Sequence, residues 1–293
     1  MVQVERVSNN LLVKVKELSN IMTRQELINQ INVKKSYLCV GLDTTIYKIP
    51  AHLQTHPDGI FEFNKQIIDA TKDLCVAYKI NTAFYEVLGA RGWEIMERTV
   101  NYIPKEHFTI ADAKRGDIGN TSAQYASAFF ETLHFDSITV APYMGEDSVR
   151  PFLQFDNKWA IVLGLTSNSG SADFEQQKIG DEFLYEKVLK TVSSWGTPNN
   201  LMFVIGATKA SDFSTIRTII PQHFLLVPGV GFQGGSLKEV SQFGLIKDCG
   251  LLINASRAII YAGNTESFAA DARTVALQYQ QEMAGYLANR PVN

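Results

Sequence analysis

The stretch FTIADAKRGDIGNT, residues 108–121, decides how this chain folds. Phe108–Ala111 is a short run of β-branched and apolar residues, the pattern of a strand buried on both faces. The run stops at Asp112, and Lys114 and Asp117 follow at once. Buried strands that end in charge belong to parallel α/β sheets, whose sites gather at the C-terminal strand ends. Asp112 and Lys114 are two apart, so along an extended chain both point to the same side.

The same grammar repeats on either side. Leu38–Leu42 (then Asp43) and Cys75–Ile80 (with Lys79) precede it; Ser137–Ala141, Ala160–Leu165, Met202–Gly206, Phe224–Val227 (then Pro228) and Leu251–Asn254 follow. Helical patterns separate them, such as Ile60, Phe61, Phe63, Ile67, Ile68 and Leu74, which place one apolar stripe against a sheet. Eight strands alternating with helices predict an α/β fold of (β/α)8 TIM-barrel type, eight being the number that closes a barrel. A doubly wound open sheet is the rival, but no GxGxxG follows the first strand. The 293 residues suit one barrel, which commonly takes roughly 250.

The barrel unit is expected over 22–293, opening where Thr23 and Glu26 make a capping box at the head of a helix. Residues 1–21 are read as an N-terminal extension whose status stays open. They scatter charges among apolar positions, unlike a secretory leader, and no apolar run is long enough for a bilayer. With 45% hydrophobic and 19% charged residues the composition is that of a soluble globular protein, expected in the cytoplasm with no membrane partner. A net charge of −3 argues against nucleic acid, which requires a basic face. Cys39, Cys75 and Cys249 show no CxxC spacing and read as small apolar residues in a reducing compartment.

Asp43, Lys79, Asp112 and Lys114 all fall at expected C-terminal strand ends. Such charges facing one barrel mouth are costly unless they pair, so they form either a catalytic cluster or a salt-bridge ring that closes the barrel. A second constellation occupies the last two strands. Val227-Pro228-Gly229-Val230-Gly231-Phe232-Gln233-Gly234-Gly235-Ser236 is a glycine-rich turn entering a helix near Ser236, with amides able to cradle an anion. Arg257, after the eighth strand, can fork onto phosphate oxygens. These two loops are the usual phosphate site of a TIM barrel, so a phosphorylated substrate is expected. The long gap that begins Thr166-Ser167-Asn168-Ser169-Gly170 is either a binding loop or plain exposed chain.

Asp112-Ala-Lys114-Arg-Gly-Asp117-Ile118-Gly-Asn-Thr121 resembles the DxKxxDIxxT signature of the orotidine 5′-phosphate decarboxylase family. The likeness extends, in order, to Asp43 in CVGLD, Lys79 in VAYKIN, TSNSG, VPGVGFQGG and NASRAIIYA, and is nearest the longer bacterial and protist branch. It implies conversion of orotidine 5′-monophosphate to UMP and CO2 with no metal or organic cofactor. It assigns catalysis to Lys79, Asp112, Lys114 and Asp117. Asp43 and Lys79 would hold the ribose with Asn81 nearby; Ser167, helped by Thr166, would read the pyrimidine. Pro228, Gln233, Gly235, Ser256 and Arg257 would line the phosphate end. Asp117, Ile118 and Thr121 would complete the neighbouring subunit's site, which implies a homodimer. A Mg2+-dependent sugar-phosphate decarboxylase or aldolase sharing DxKxxD would carry Glu where Lys79 stands, a cation that repels Mg2+. A noncatalytic nucleotide-binding barrel would lack one of the four charged residues. A Schiff base at Lys114 needs a lysine that spends time neutral, which flanking aspartates oppose.

Overall fold

The computed structural model describes residues 22–231 and 234–291. Eight parallel strands close a barrel: β1 (Leu38–Gly41), β2 (Ala77–Asn81), β3 (Phe108–Arg115), β4 (Ser137–Val140), β5 (Trp159–Leu165), β6 (Leu201–Ile205), β7 (Phe224–Pro228) and β8 (Leu251–Ala255). Each pairs with its sequence neighbours, and β1 seals against β8 with Cys39 opposite Asn254. β1, β4, β6 and β8 are buried at every residue, because the barrel interior covers one face and helices cover the other. The TIM-barrel expectation holds.

Helix α1 (Arg24–Lys34) precedes the barrel, and α2 (Gly59–Thr71) follows β1. Thr23 caps α1 by accepting the Glu26 amide at 3.2 Å. The expected reciprocal half is replaced: the Glu26 carboxylate takes Gln30 and Asn29 one turn on instead. On α2 the predicted stripe is observed: Ile60, Phe63, Ile67 and Ile68 are buried and Phe61 partly so. Leu74 is buried just past the helix end. Phe63 stacks at 4.9 Å on Phe268, which opens the last helix, α3 (Phe268–Ala288), so one ring joins the first and last layers.

All three cysteines are buried thiols with no disulfide, and burial pushes Cys75 up to about 11. No helix among the described residues is long and apolar enough to cross a membrane. The anticipated extension, residues 1–21, lies outside the described residues.

β3 is longer than its apolar run. It continues through Asp112 and Lys114 to Arg115, and its pairing with β4 jumps from Ala111–Ile138 to Arg115–Val140. β3 therefore carries extra residues that bulge from the ladder, a device that re-aims side chains. Lys114 sits in the bulge at φ +48. The extended geometry expected from its spacing to Asp112 is thus absent, although the two side chains do meet.

Candidate active site

Four charged side chains form a continuous row across the C-terminal ends of β1, β2 and β3. Lys79 Nζ lies 3.4 Å from Asp43 Oδ1 and 2.9 Å from Asp112 Oδ2. Lys114 Nζ lies 2.6 Å from Asp112 Oδ1. Lys79 is almost wholly buried, whereas the Lys114 side chain is 51% exposed, so the row runs from the barrel interior to its surface. Burial alone would strip the charge from Lys79, but Asp112 and Asp43 outweigh it and hold the ammonium above its usual range. Burial alone would likewise raise Asp112, but Lys79 and Lys114 hold it well below the ordinary carboxylate range.

The peptides around Asp43 are fixed from behind. The Tyr85 hydroxyl donates to the Leu42 carbonyl, and Thr44 donates to Asn64, which in turn donates to Tyr85. Tyr261 donates to the Asp43 carbonyl and accepts the Thr45 amide. Asn64 and Tyr85 lie in no quoted motif; Tyr261 lies within NASRAIIYA but had no role assigned to it.

A cavity of about 150 Å³ is walled by Asp43, Lys79, Asn81, Asp112, Pro228, Ser256 and Arg257 among others. Seven predicted site residues therefore converge there, and Lys114 joins them through Asp112. Asn81 also accepts the Ala83 amide at 3.3 Å. The Ser256 hydroxyl is buried with no hydrogen-bond partner among the described residues. Gly41 admits no side chain: a Cβ would stand 2.7 Å from the Ser256 Cβ, so glycine lets the β1 and β8 ends approach. A roomier cavity of about 590 Å³ lies at the other barrel end, beside Arg24, Arg217 and Asp248. Its two arginines are already engaged, Arg24 on Asp248 and Arg217 on backbone carbonyls including His223 and Gly250.

The glycine-rich turn after β7 pairs more of its own amides than expected. Gly235 N–H donates to the Gly229 carbonyl, Gly231 N–H to Gly235, and Gly234 N–H to Gly231. Gly229, Gly231 and Gly234 all hold positive φ, which makes this tight turn possible. A helix begins near Ser236 as expected, spanning Leu237–Gly244, and Ser236 caps it by accepting the Glu239 amide. Gln233 and Phe232 lie outside the described residues.

Two loops meet at the end of β6. A Cβ on Gly206 would stand 2.7 Å from Ser167, and one on Gly235 would stand 2.4 Å from the Ala207 Cβ. The loop bearing Ser167 thus adjoins the glycine-rich turn. Thr166 is tied down by Glu175, whose carboxylate accepts its amide at 2.7 Å and its hydroxyl at 2.9 Å. Glu175 lies in no motif and was not foreseen.

Asp117, Ile118 and Thr121 stand apart from the cavity wall. Asp117 accepts the Ile118 amide at 2.8 Å, and no ion pair joins it to Lys114 of its own chain among the described residues. The row within one chain is therefore Asp43–Lys79–Asp112–Lys114, without the Asp117 end. Exposed apolar side chains recur after three adjacent strands: Val87 follows β2, Ile118 follows β3, and Tyr143 and Met144 follow β4.

Comparison with known proteins agrees with this geometry. Residues 36–272 match the family described as orotidine 5′-phosphate decarboxylase / HUMPS. The orotidine 5′-phosphate decarboxylase of Bacteroides fragilis is 57% identical over 270 residues, covering 91% of this chain and 98% of its own. That of Flavobacterium johnsoniae is 59% identical over 266 residues, covering 90% and 97%. The structure of Leishmania donovani OMP decarboxylase superposes with a TM-score of 0.79 at 34% identity, covering 91% of this chain and 99% of that one.

Proposed function

The chain belongs to the orotidine 5′-phosphate decarboxylase family and converts orotidine 5′-monophosphate to UMP and CO2; from that premise we propose how its own residues do so. The observation that carries the proposal is the ion row ending in the half-exposed Lys114. Loss of CO2 leaves an electron pair on a ring carbon that the pyrimidine delocalises poorly. Positive charge fixed beforehand beside that carbon lowers the barrier without reorganisation. Lys114 supplies it: the C–CO2 bond breaks, the pair stays on the ring carbon, and the ammonium gives that carbon a proton. Water then reprotonates the lysine. Asp112, held anionic, faces the substrate carboxylate and repels it.

Remote groups supply binding energy realised at the reacting carbon. Asp43 and Lys79 hold the ribose with Asn81. Ser167, on the loop that Thr166 and Glu175 tie down, reads the pyrimidine edge. Arg257, Ser256, Pro228, Gly235 and Gln233 form the phosphate end, where the orphan Ser256 hydroxyl offers a donor. No metal or organic cofactor takes part. Lys79 Nζ stands between the Asp43 and Asp112 carboxylates, where a divalent ion would otherwise be drawn.

The active unit in this reading is a homodimer in the cytoplasm. Asp117, which accepts the Ile118 amide in its own chain, reaches the partner's Lys114 together with Ile118 and Thr121. The exposed Val87, Ile118, Tyr143 and Met144 supply the apolar face of that interface. Loss of orotidine monophosphate absorbance in the presence of EDTA tests the function. Full activity supports metal-free decarboxylation; a strict Mg2+ requirement would contradict it.

A further inference from the structure

Thr139 lies on β4, outside every motif that marks the site, and is 1% exposed. Its hydroxyl accepts the Lys114 backbone N–H at 2.9 Å and donates to Asp112 Oδ1 at 3.0 Å. The direction is fixed, because an ionised carboxylate can only accept. Asp112 Oδ1 also takes Lys114 Nζ at 2.6 Å. One hydroxyl thus grips the same lysine twice, directly at its peptide and through Asp112 at its ammonium.

Both grips answer a local need. The bulge between Ala111 and Arg115 takes the Lys114 peptide out of the β3–β4 ladder, so its amide needs another acceptor. Lys114 also holds φ +48, a left-handed backbone that a lysine abandons unless its surroundings impose it. An idle Lys114 backbone would let the ammonium swing.

We propose that Thr139 is a positioning residue for the decarboxylation: its hydroxyl sets the backbone of Lys114 and the orientation of the Asp112 carboxylate. The inference rests on Lys114 being the proton donor. A role confined to packing β3 on β4 needs the side-chain volume but not the hydroxyl, and the two separate experimentally. Valine keeps the shape and loses both hydrogen bonds; serine keeps both and loses a methyl.

The test compares Thr139→Val and Thr139→Ser with wild type and Lys114→Ala, reading kcat, KM for orotidine monophosphate and UMP affinity. Thr139→Val should lower kcat roughly 10- to 100-fold, the worth of a hydrogen bond to a charged group, while UMP affinity stays within about twofold. Thr139→Ser should restore most of the loss. Near-normal kcat in Thr139→Val beside an inactive Lys114→Ala overturns the Thr139 role and leaves Lys114 standing. Equal losses in the valine and serine variants also overturn it, in favour of packing. Retained turnover in Lys114→Ala overturns both. If the valine variant does not fold, Thr139→Ala is read against serine in the same way.

Discussion

Lys79 and Asp112 meet at 2.9 Å with 4% and 12% of their side chains exposed, and the pair holds its charge from both sides. Asp112 is depressed, so its stabilising contribution is complete above the unfolded value near 3.9 and fades as pH falls through its lower folded value. Lys79 is raised, so its contribution is complete below about 10.4 and fades as pH rises through its higher folded value. Between about pH 5 and 9 neither group titrates. At saturating substrate, kcat should therefore vary little across that range. A steep limb near neutrality would show that a group other than Lys79 and Asp112 governs turnover.

Breaking the pair should cost stability as well as activity. Asp112→Asn removes the nearer carboxylate and leaves Asp43, at 3.4 Å, as the remaining counter-charge of the buried Lys79. Unpairing a buried ion typically costs about 3–5 kcal/mol, so the melting temperature should fall by several degrees. An unchanged melting temperature would mean that water or a shift of Asp43 compensates.

Arg257 should matter to phosphate alone. Arg257→Ala is expected to raise KM for the nucleotide by roughly 30- to 100-fold, as for loss of a charge-assisted pair, while activity on the poor nucleoside substrate barely changes. Equal losses on both substrates would make Arg257 structural.

Subunit mixing tests the composite site. If Asp117 serves the partner, a heterodimer of Lys114→Ala and Asp117→Ala collects both lesions in one site and none in the other. Equal amounts, unfolded and reassembled at random, make about half the dimers mixed, so about a quarter of wild-type activity returns. An inactive mixture with heterodimers verified by native mass spectrometry would place Asp117 in its own chain's site.

Away from the site, two buried histidines set an acid weakness. Burial, with Lys34 for His107 and with Arg24 for His223, lowers both to about 4. The unfolded chain takes up these protons near pH 6.5 and the native one refuses them until about 4, so stability is lost as pH falls through that window. At pH 5 each contributes a loss on the order of 2 kcal/mol. His223 makes no hydrogen bond at either ring nitrogen among the described residues and sits edge-on to Phe203. His223→Phe should keep that packing and remove about half of the drop in melting temperature between pH 7 and pH 5. An equal drop in the variant would assign the acid sensitivity elsewhere.

The barrel was legible because its strands are largely buried on both faces and so read as short β-branched or apolar runs. The charges of Asp43 and Asp112 were legible because each follows such a run, and that of Lys79 because it interrupts one near its end. Thr139, Glu175, Asn64 and Tyr85 were not: each acts on the site through tertiary contact and lies in no motif, and Tyr261, though inside NASRAIIYA, showed its hold on the Asp43 carbonyl only in the fold. The bulge at Lys114 was hidden too, since strand alternation assumes an extended chain and the departure depends on the β4 partner. The pairing of Gly235 with Gly229 shows the same limit: glycines announce a turn but not which amides it consumes.

The most direct measurement is the turnover of Lys114→Ala on orotidine monophosphate, beside its affinity for UMP and its melting temperature. A loss of roughly 1000-fold or more in kcat is expected, with nucleotide binding and fold retained, because one ammonium both stabilises the carbanion and delivers the proton. Turnover at even about a tenth of wild type would contradict it, since a general acid alone contributes roughly 100- to 10,000-fold.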